Sequence, residues 1–100
     1  MTFEEHVRRA LDALPPELAR RLDNVAVVAE DENAEEPDLY GLFEGGGDFM
    51  PDKVTIYRLP LEGDFPDPDD LEDEIRITVL HEIGHYFGLD EDRLGELGYE

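Results

Sequence analysis

Two histidines and one glutamate near the end of the sequence have the types and spacing of a metal site. His81, Glu82 and His85 form the pattern His-Glu-x-x-His. On an α-helix the two histidines lie one turn apart, so both imidazoles point to the same side and can bind one divalent metal, most commonly zinc. Glu82 is then placed to polarise a water on that metal and to take its proton.

The residues after this motif offer a third ligand. Gly88 follows the last apolar turn of the predicted helix, where a left-handed residue often ends a helix. A turn at this point reverses the chain and brings Asp90, Glu91 or Asp92 back towards the imidazoles. The sequence contains no cysteine, so the metal ligands to expect are histidine and carboxylate side chains.

A long helix is predicted to carry the motif, from about Asp69 or Asp70 to Phe87. Its apolar residues cover most of the helix circumference; they are Leu71, Ile75, Ile77, Val79, Leu80, Ile83, Tyr86 and Phe87. The polar remainder is one stripe of Thr78, His81, Glu82 and His85. A helix that is apolar nearly all round belongs in a core. Two core histidines bonded to backbone acceptors would explain the stripe but not Glu82, which is costly to bury without a partner, so we favour a metal site.

Two helices and three strands are predicted before this helix. Thr2 is a good helix cap. After it, apolar residues recur at helical spacing, at Phe3, Val7, Ala10, Leu11 and Leu14. A short second helix is predicted over Glu17–Asp23. Runs rich in β-branched and aromatic residues predict strands at Val25–Ala29, Leu39–Glu44 and Lys53–Leu59. A last short helix is predicted around Arg93, Leu94, Leu97 and Tyr99.

Single residues in these elements carry further predictions. Gly41, inside the second strand, marks a bulge or a close approach of two backbones. Val54 and Ile56 should face one side of the third strand, because side chains alternate along a strand. We interpret His6 in the first helix as a surface histidine without a ligand role.

The acidic stretch before the long helix resembles a calcium loop only superficially. Residues 63–70 read Gly-Asp-Phe-Pro-Asp-Pro-Asp-Asp, and counting from Asp67 places Leu71 at the fifth position of the loop. An EF-hand loop needs an oxygen ligand there and a glycine after it. Acids at the first turn of a helix, where they complement the helix dipole, explain the same residues.

The composition limits the classes of partner. The chain has 100 residues, with 28 acids against 8 basic residues and a formal net charge of -20. This length predicts a single domain over residues 1–100 and a monomer. Such a negative surface repels nucleic acid and anionic membranes, so neither is expected as a partner. The sequence contains no apolar run long enough to span a membrane and no signal-peptide pattern, which predicts a cytoplasmic protein.

The motif also supports a resemblance to known proteins. The stretch His81–Glu91 resembles the HExxHxxGxx(H/D) signature of metzincin-type zinc peptidases. The chain is more closely similar to a bacterial family of very small, one-domain, zincin-like metallopeptidases. That similarity covers nearly the whole chain, because it extends to Leu14–Leu18, Asn24–Val28, Leu39–Gly45, Val54–Arg58 and Asp90–Leu94.

The resemblance implies a fold and an activity. The fold is of the α+β class, a minimal zincin-like fold with helices packed on a small mixed β-sheet and HExxH on the long active-site helix. The activity is that of a zinc-dependent metallopeptidase, with one Zn²⁺ per chain bound by His81, His85 and Glu91 and with Glu82 as the general base. The substrate is a peptide or protein, bound by strand addition to a strand beside the cleft, for which we predict Val54–Leu59.

The sequence departs from the metzincin pattern in two ways. Glu91 stands where the signature has His or Asp, and Asp90 and Asp92 remain alternative ligands. Nine residues follow Glu91 and none is a methionine, so we expect no methionine turn and a weaker grip on the substrate.

Two questions stay open on the sequence. Tyr40, Tyr57 and Tyr99 are alternative donors to an oxyanion, but for each of them we favour packing with the hydroxyl at the surface. The alternative function is a zinc-binding protein of the same fold with little or no peptidase activity, serving as a structural or interaction module. A third is an acidic interaction module in which the metal is incidental.

Overall fold

Four helices and three strands make up the part of the chain that the computed structural model describes, residues 2–86, with the backbone alone at positions 17, 21, 23, 85 and 86. The helices are α1 (Phe3–Asp12), α2 (Pro16–Arg21), α3 (Arg58–Asp64) and α4 (Pro68–Tyr86). The strands are β1 (Val25–Glu30), β2 (Gly41–Glu44) and β3 (Asp52–Tyr57). A 3-10 turn over Leu22–Asn24 leads into β1.

The three strands form one mixed sheet in the order β1–β3–β2. β1 runs parallel to β3, with Val27 opposite Val54, and β2 runs antiparallel to β3, with Gly41 opposite Ile56. β3 is therefore the central strand, and β1 and β2 are the two edges of the sheet within residues 2–86. The predicted α+β class, with helices packed on a small mixed sheet, is confirmed.

The prediction that Val54–Leu59 is the substrate-binding strand is wrong for two reasons. Both edges of β3 are hydrogen-bonded to neighbouring strands, so it cannot accept another strand. The strand also ends at Tyr57, and α3 begins at Arg58. Pro60 is tolerated there because the first turn of a helix has no intrahelical partner for its backbone N–H. Arg58 stabilises this turn through an ion pair with Glu62 at 2.8 Å.

The core lies between the sheet and the two longest helices, α1 and α4. Its buried side chains are Phe3, Val7, Ala10, Leu14, Leu18, Val54, Ile56, Leu61, Leu71, Ile75, Val79, Leu80 and Ile83. Val54 and Ile56 both belong to this core, which confirms that they share one face of β3. Val27 and Phe43, their neighbours on the two edge strands, pack against the same cluster.

Helix α4 begins where the acidic stretch ends. The Asp67 carboxylate accepts hydrogen bonds from the backbone N–H groups of Asp69 and Asp70, at 2.9 and 3.3 Å. Asp67 thus caps the helix, because the first N–H groups of a helix lack intrahelical partners, and the predicted helix start in the acidic stretch is confirmed. Asp69, Asp70 and Asp73 are exposed, so the first half of α4 is amphipathic. From Glu74 to Gly84 every residue is buried or half-buried, so this stretch has the character of a core helix.

The interpretation of His6 as a surface histidine is wrong. Thr2 caps α1 as predicted and accepts a hydrogen bond from the Glu5 backbone N–H at 3.2 Å. His6 lies on the buried face of this helix and its Nδ1 is 2.7 Å from a Glu72 carboxylate oxygen on α4. Arg9, one turn further along α1, forms an ion pair with the same oxygen at 3.3 Å. The polar contact joins the two helices of the core.

Two predictions concern residues after position 86. The end of the long helix at Phe87 and Gly88 and the last short helix lie outside the described residues. Within residues 2–86, none of the helices has the length and apolar character needed to cross a membrane.

Candidate metal centre

A cavity of about 280 Å³ lies between the second half of α4 and the segment that leads into β2. One wall is the chain from Asp38 to Gly41. The floor is one face of α4, with Glu74, Thr78, His81 and Glu82. Glu74, Thr78 and Glu82 follow one another at intervals of four residues, and His81 lies three residues after Thr78, so the four form one stripe along the helix. The cavity therefore opens over the polar stripe that carries the predicted motif.

Gly41 brings the wall into contact with this floor. A β carbon at position 41 would lie 2.7 Å from Thr78 Cγ2 and 3.4 Å from Glu82 Cγ. It would also lie 3.3 Å from the Thr55 carbonyl oxygen on β3. Only glycine fits this gap without displacing its neighbours, because real β carbons do not approach other atoms within 3 Å. The predicted close approach at Gly41 is thus present, and it seats β2 directly on α4.

His81 lines this cavity and carries a ring nitrogen without a hydrogen-bond partner. Its Nε2 atom is buried and has no hydrogen-bond partner among residues 2–86. A buried imidazole nitrogen without a partner is costly, and most such groups in proteins are bonded. In the neutral tautomer with its proton on Nδ1, Nε2 carries the lone pair that binds a metal. His81 therefore fits a metal ligand better than a core histidine satisfied by the backbone.

Glu82 lies beside His81 on the same cavity surface and is half-buried. A β carbon added at Gly41 would lie 3.4 Å from Glu82 Cγ, so the start of β2 is close to this side chain. A carboxylate in this position can exchange protons with a molecule bound in the cavity, which is the geometry that a general base needs.

The remaining predicted ligands are not among the described side chains. His85 lies in α4 one turn after His81, but the structure describes its backbone alone. Glu91 and its alternatives Asp90 and Asp92 lie outside the described residues. Within residues 2–86, no group of three or more His, Asp or Glu side chains is arranged to hold a metal ion.

The structure separates the tyrosines that the sequence left open. Tyr40 lines the cavity, and its hydroxyl donates a hydrogen bond to the Asp64 carboxylate at the end of α3. Its ring contacts Phe65 edge to face, with the ring centres 5.9 Å apart. The hydrogen bond to Asp64, together with burial and the nearby charges of Asp64, Glu74 and Asp38, raises the pKa of Tyr40 to about 12. Tyr40 is therefore neutral at physiological pH.

Tyr57 has a structural role. It follows Ile56 on β3, so its side chain points to the opposite face of the sheet from the core. It is 4% exposed, and its hydroxyl accepts a hydrogen bond from the Asn33 amide at 3.0 Å. This bond holds the loop after β1, and the residue does not line the cavity. Tyr99 lies outside the described residues.

Three cavity residues were missed on the sequence: Asp38, Leu39 and Glu74. Glu74 could have been found, because it lies four residues before Thr78 and eight before Glu82, and so extends the polar stripe by a turn. Asp38 and Leu39 carry no such signal. They lie in an acidic loop, and only the seating of β2 against α4 brings that loop to the cavity.

The chain is similar to a known protein family over most of its length. A family model described as zincin-like metallopeptidase matches residues 22–99. The match begins before β1 and includes the whole sheet, α3 and α4, while α1 and α2 lie before it. No curated protein matches the chain. Because the family model spans more than three quarters of the sequence, the chain belongs to the family of zincin-like metallopeptidases.

Proposed function

We propose that this protein is a zinc-dependent peptidase, with one zinc ion held by His81, His85 and Glu91. Membership of the zincin-like family supports zinc binding and a peptidase-type activity in general. The observation that carries the proposal is the buried, unbonded Nε2 of His81, a residue that lines the cavity together with Glu82. Zinc, when bound, supplies Lewis-acid chemistry, since it polarises a carbonyl and makes a water molecule more acidic.

Glu82 is the proposed general base. Its carboxylate takes a proton from the attacking water while the water oxygen bonds to the carbonyl carbon of the peptide. As the carbon–nitrogen bond breaks, Glu82 passes the same proton to the leaving amine. The products are a carboxylic acid and an amine, and Glu82 returns to its ionised form. The half-buried position of Glu82 beside the cavity wall keeps it directed at the substrate.

β2 takes the place of β3 as the proposed substrate-binding strand. Within residues 2–86 it is the edge of the sheet on the side of the cavity, and Gly41 at its start lines that cavity. An edge strand has unpaired backbone N–H and C=O groups that an extended peptide can bond. Lying along this edge, the peptide passes over the stripe of Thr78, His81 and Glu82.

The test combines zinc content with hydrolysis of unstructured protein. Glu82→Gln should keep one zinc per chain and lose hydrolysis by about 10²- to 10⁴-fold, because it cannot accept the proton. His81→Ala and His85→Ala should each lose zinc. Glu91→Ala compared with Asp90→Ala and Asp92→Ala identifies the third ligand. Asp70→Asn, on an exposed first-turn residue of α4, is the matched control and should change neither property.

Three results would contradict the proposal in different ways. Unchanged hydrolysis by Glu82→Gln would exclude Glu82 as the general base. Stoichiometric zinc without hydrolysis by the natural chain would favour a zinc-binding structural or interaction module. Less than one zinc per chain after purification in the presence of zinc would exclude both metal-dependent functions.

A further inference from the structure

The charged side chains around the cavity are all acidic. Asp38 stands on its wall and Glu74 on its floor, in addition to Glu82. Of the lining residues that the structure describes, none is lysine or arginine. Negative charge from Glu74 and Asp38 also reaches the Tyr40 hydroxyl, where both contribute to its raised pKa after the larger effect of Asp64. The mouth of the cavity is therefore a region of negative potential.

Asp38 and Glu74 are not neutralised within residues 2–86, where no ion pair or hydrogen bond joins either side chain to another group. Other acids of the chain do have basic partners. These pairs are Arg9–Glu72, Lys53–Glu44, Arg58–Asp31, Arg58–Glu62 and Arg76–Asp73. Two unpaired carboxylates beside a cavity with an unbonded histidine nitrogen favour a cationic ligand there.

The helix sets the distance between this charge and the proposed reaction centre. Glu74 is two turns before Glu82, which corresponds to about 12 Å along the axis. An extended peptide covers that distance in about three to four residues. The wall from Asp38 to Gly41 runs beside this stretch of α4. Its Gly41 end lies close to Thr78 and Glu82, and the hydroxyl of Tyr40 is within reach of the charge of Glu74.

We propose that the cleft selects peptides with a lysine or arginine three to four residues from the bond that is cleaved, and that Asp38 and Glu74 hold this side chain. The inference rests on the proposed peptide substrate and adds its chemical class. Glu74 and Asp38 are specificity-determining residues in this scheme, and they take no part in the proton transfers of Glu82.

The experiment measures binding separately from hydrolysis. The zinc-loaded full chain with Glu82→Gln is titrated into fluorescent decapeptides of alanine and glycine that carry Lys, norleucine or Glu at one position. We expect the lysine peptide to bind about fivefold more tightly than the norleucine peptide, and the glutamate peptide to bind most weakly. Adding Glu74→Gln or Asp38→Asn should reduce this preference, whereas Asp70→Asn, which removes the same charge from an exposed position on α4, should keep it.

The position of the lysine gives a second readout. When it is moved one residue at a time along a cleavable peptide, the natural chain should cut fastest with the lysine three or four residues to one side of the bond. The preference should also shrink at high ionic strength, because salt screens charges that are partly exposed.

Several outcomes would overturn the inference. They are equal affinity for the three peptides, no measurable binding of any of them, and a lysine preference that survives both Glu74→Gln and Asp38→Asn. Glu74-dependent binding of calcium without a peptide preference would instead identify a cation site. Hydrolysis without a lysine preference would refute the inference and keep the proposed function. A Glu74-dependent lysine preference in binding without hydrolysis would refute the proposed peptidase function and keep Asp38 and Glu74 as the residues that bind the lysine.

Discussion

The backbone of Gly41 lies against Thr78 so closely that a β carbon at position 41 would be 2.7 Å from Thr78 Cγ2. This contact joins the edge strand β2 to helix α4 at the level of Glu82. It decides how wide the cavity is and where its wall stands relative to His81. The residue with no side chain is therefore as important to the site as the residues that carry the chemistry.

Gly41→Ala should destabilise the protein by about 1–3 kcal/mol, because the added methyl forces a shift in a close-packed region. Thr78→Ser removes the methyl group that the new β carbon meets first. The double variant should recover part of the lost stability but not all of it, since the Thr55 carbonyl at 3.3 Å and Glu82 Cγ at 3.4 Å remain. Urea unfolding of the four proteins measures the coupling. Additive effects would contradict the direct contact.

Tyr40 should titrate well above an ordinary tyrosine. Its pKa of about 12 arises first from the hydrogen bond to Asp64. Absorbance of the phenolate after a rapid pH jump should show this late titration, and Asp64→Asn should shift it down towards 10. Asp48→Asn, an exposed acid in the β2–β3 connection, is the control. No change on Asp64→Asn would argue against the bond.

The same shift makes stability depend on pH. The unfolded chain releases the phenolic proton of Tyr40 near pH 10, whereas the folded chain releases it near pH 12. The raised pKa therefore contributes stability that is fully present below pH 10 and is lost as the pH rises to 12. Natural protein should lose more stability over this range than Tyr40→Phe, measured by urea unfolding at each pH.

His6→Ala should destabilise the protein by about 1–3 kcal/mol, because it leaves the mostly buried carboxylate of Glu72 without one of its partners. That carboxylate is 17% exposed and accepts from His6 at 2.7 Å. Arg8→Ala on the exposed side of α1 is the matched control and should change stability by less than about 0.5 kcal/mol. Equal effects of the two substitutions would show that the His6–Glu72 contact contributes nothing.

Zinc should raise the melting temperature of metal-free protein by about 10 °C at a hundredfold excess over its dissociation constant. The shift should vanish in His81→Ala and persist in Glu82→Gln, since only the first removes a proposed ligand. Differential scanning calorimetry with and without zinc checks both. A rise of the same size in His81→Ala would mean that zinc stabilises the protein through its many surface acids.

Sequence reasoning succeeded where a few consecutive turns of chain decide the outcome. The placing of His81, Glu82 and Thr78 on one helix face follows from a fixed rotation per residue, and the predicted cap at Thr2 satisfies an N–H group three residues away. The fold class followed from the resemblance to zincin-like metallopeptidases. Sequence reasoning failed for the end of β3, which was predicted at Leu59. Leu61 is buried in the core, and the residues before it form the first turn of α3.

Tertiary structure alone decided the features that depend on residues far apart in the chain. His6 and Glu72 are 66 positions apart, so no local pattern could have shown that the histidine is buried and paired. The strand order made β3 central and left β2 at the edge. The motif by itself thus determined which residues could do chemistry. Long-range contact between Gly41 and α4 decided what faces them across the cleft: a wall that carries Asp38 and Tyr40.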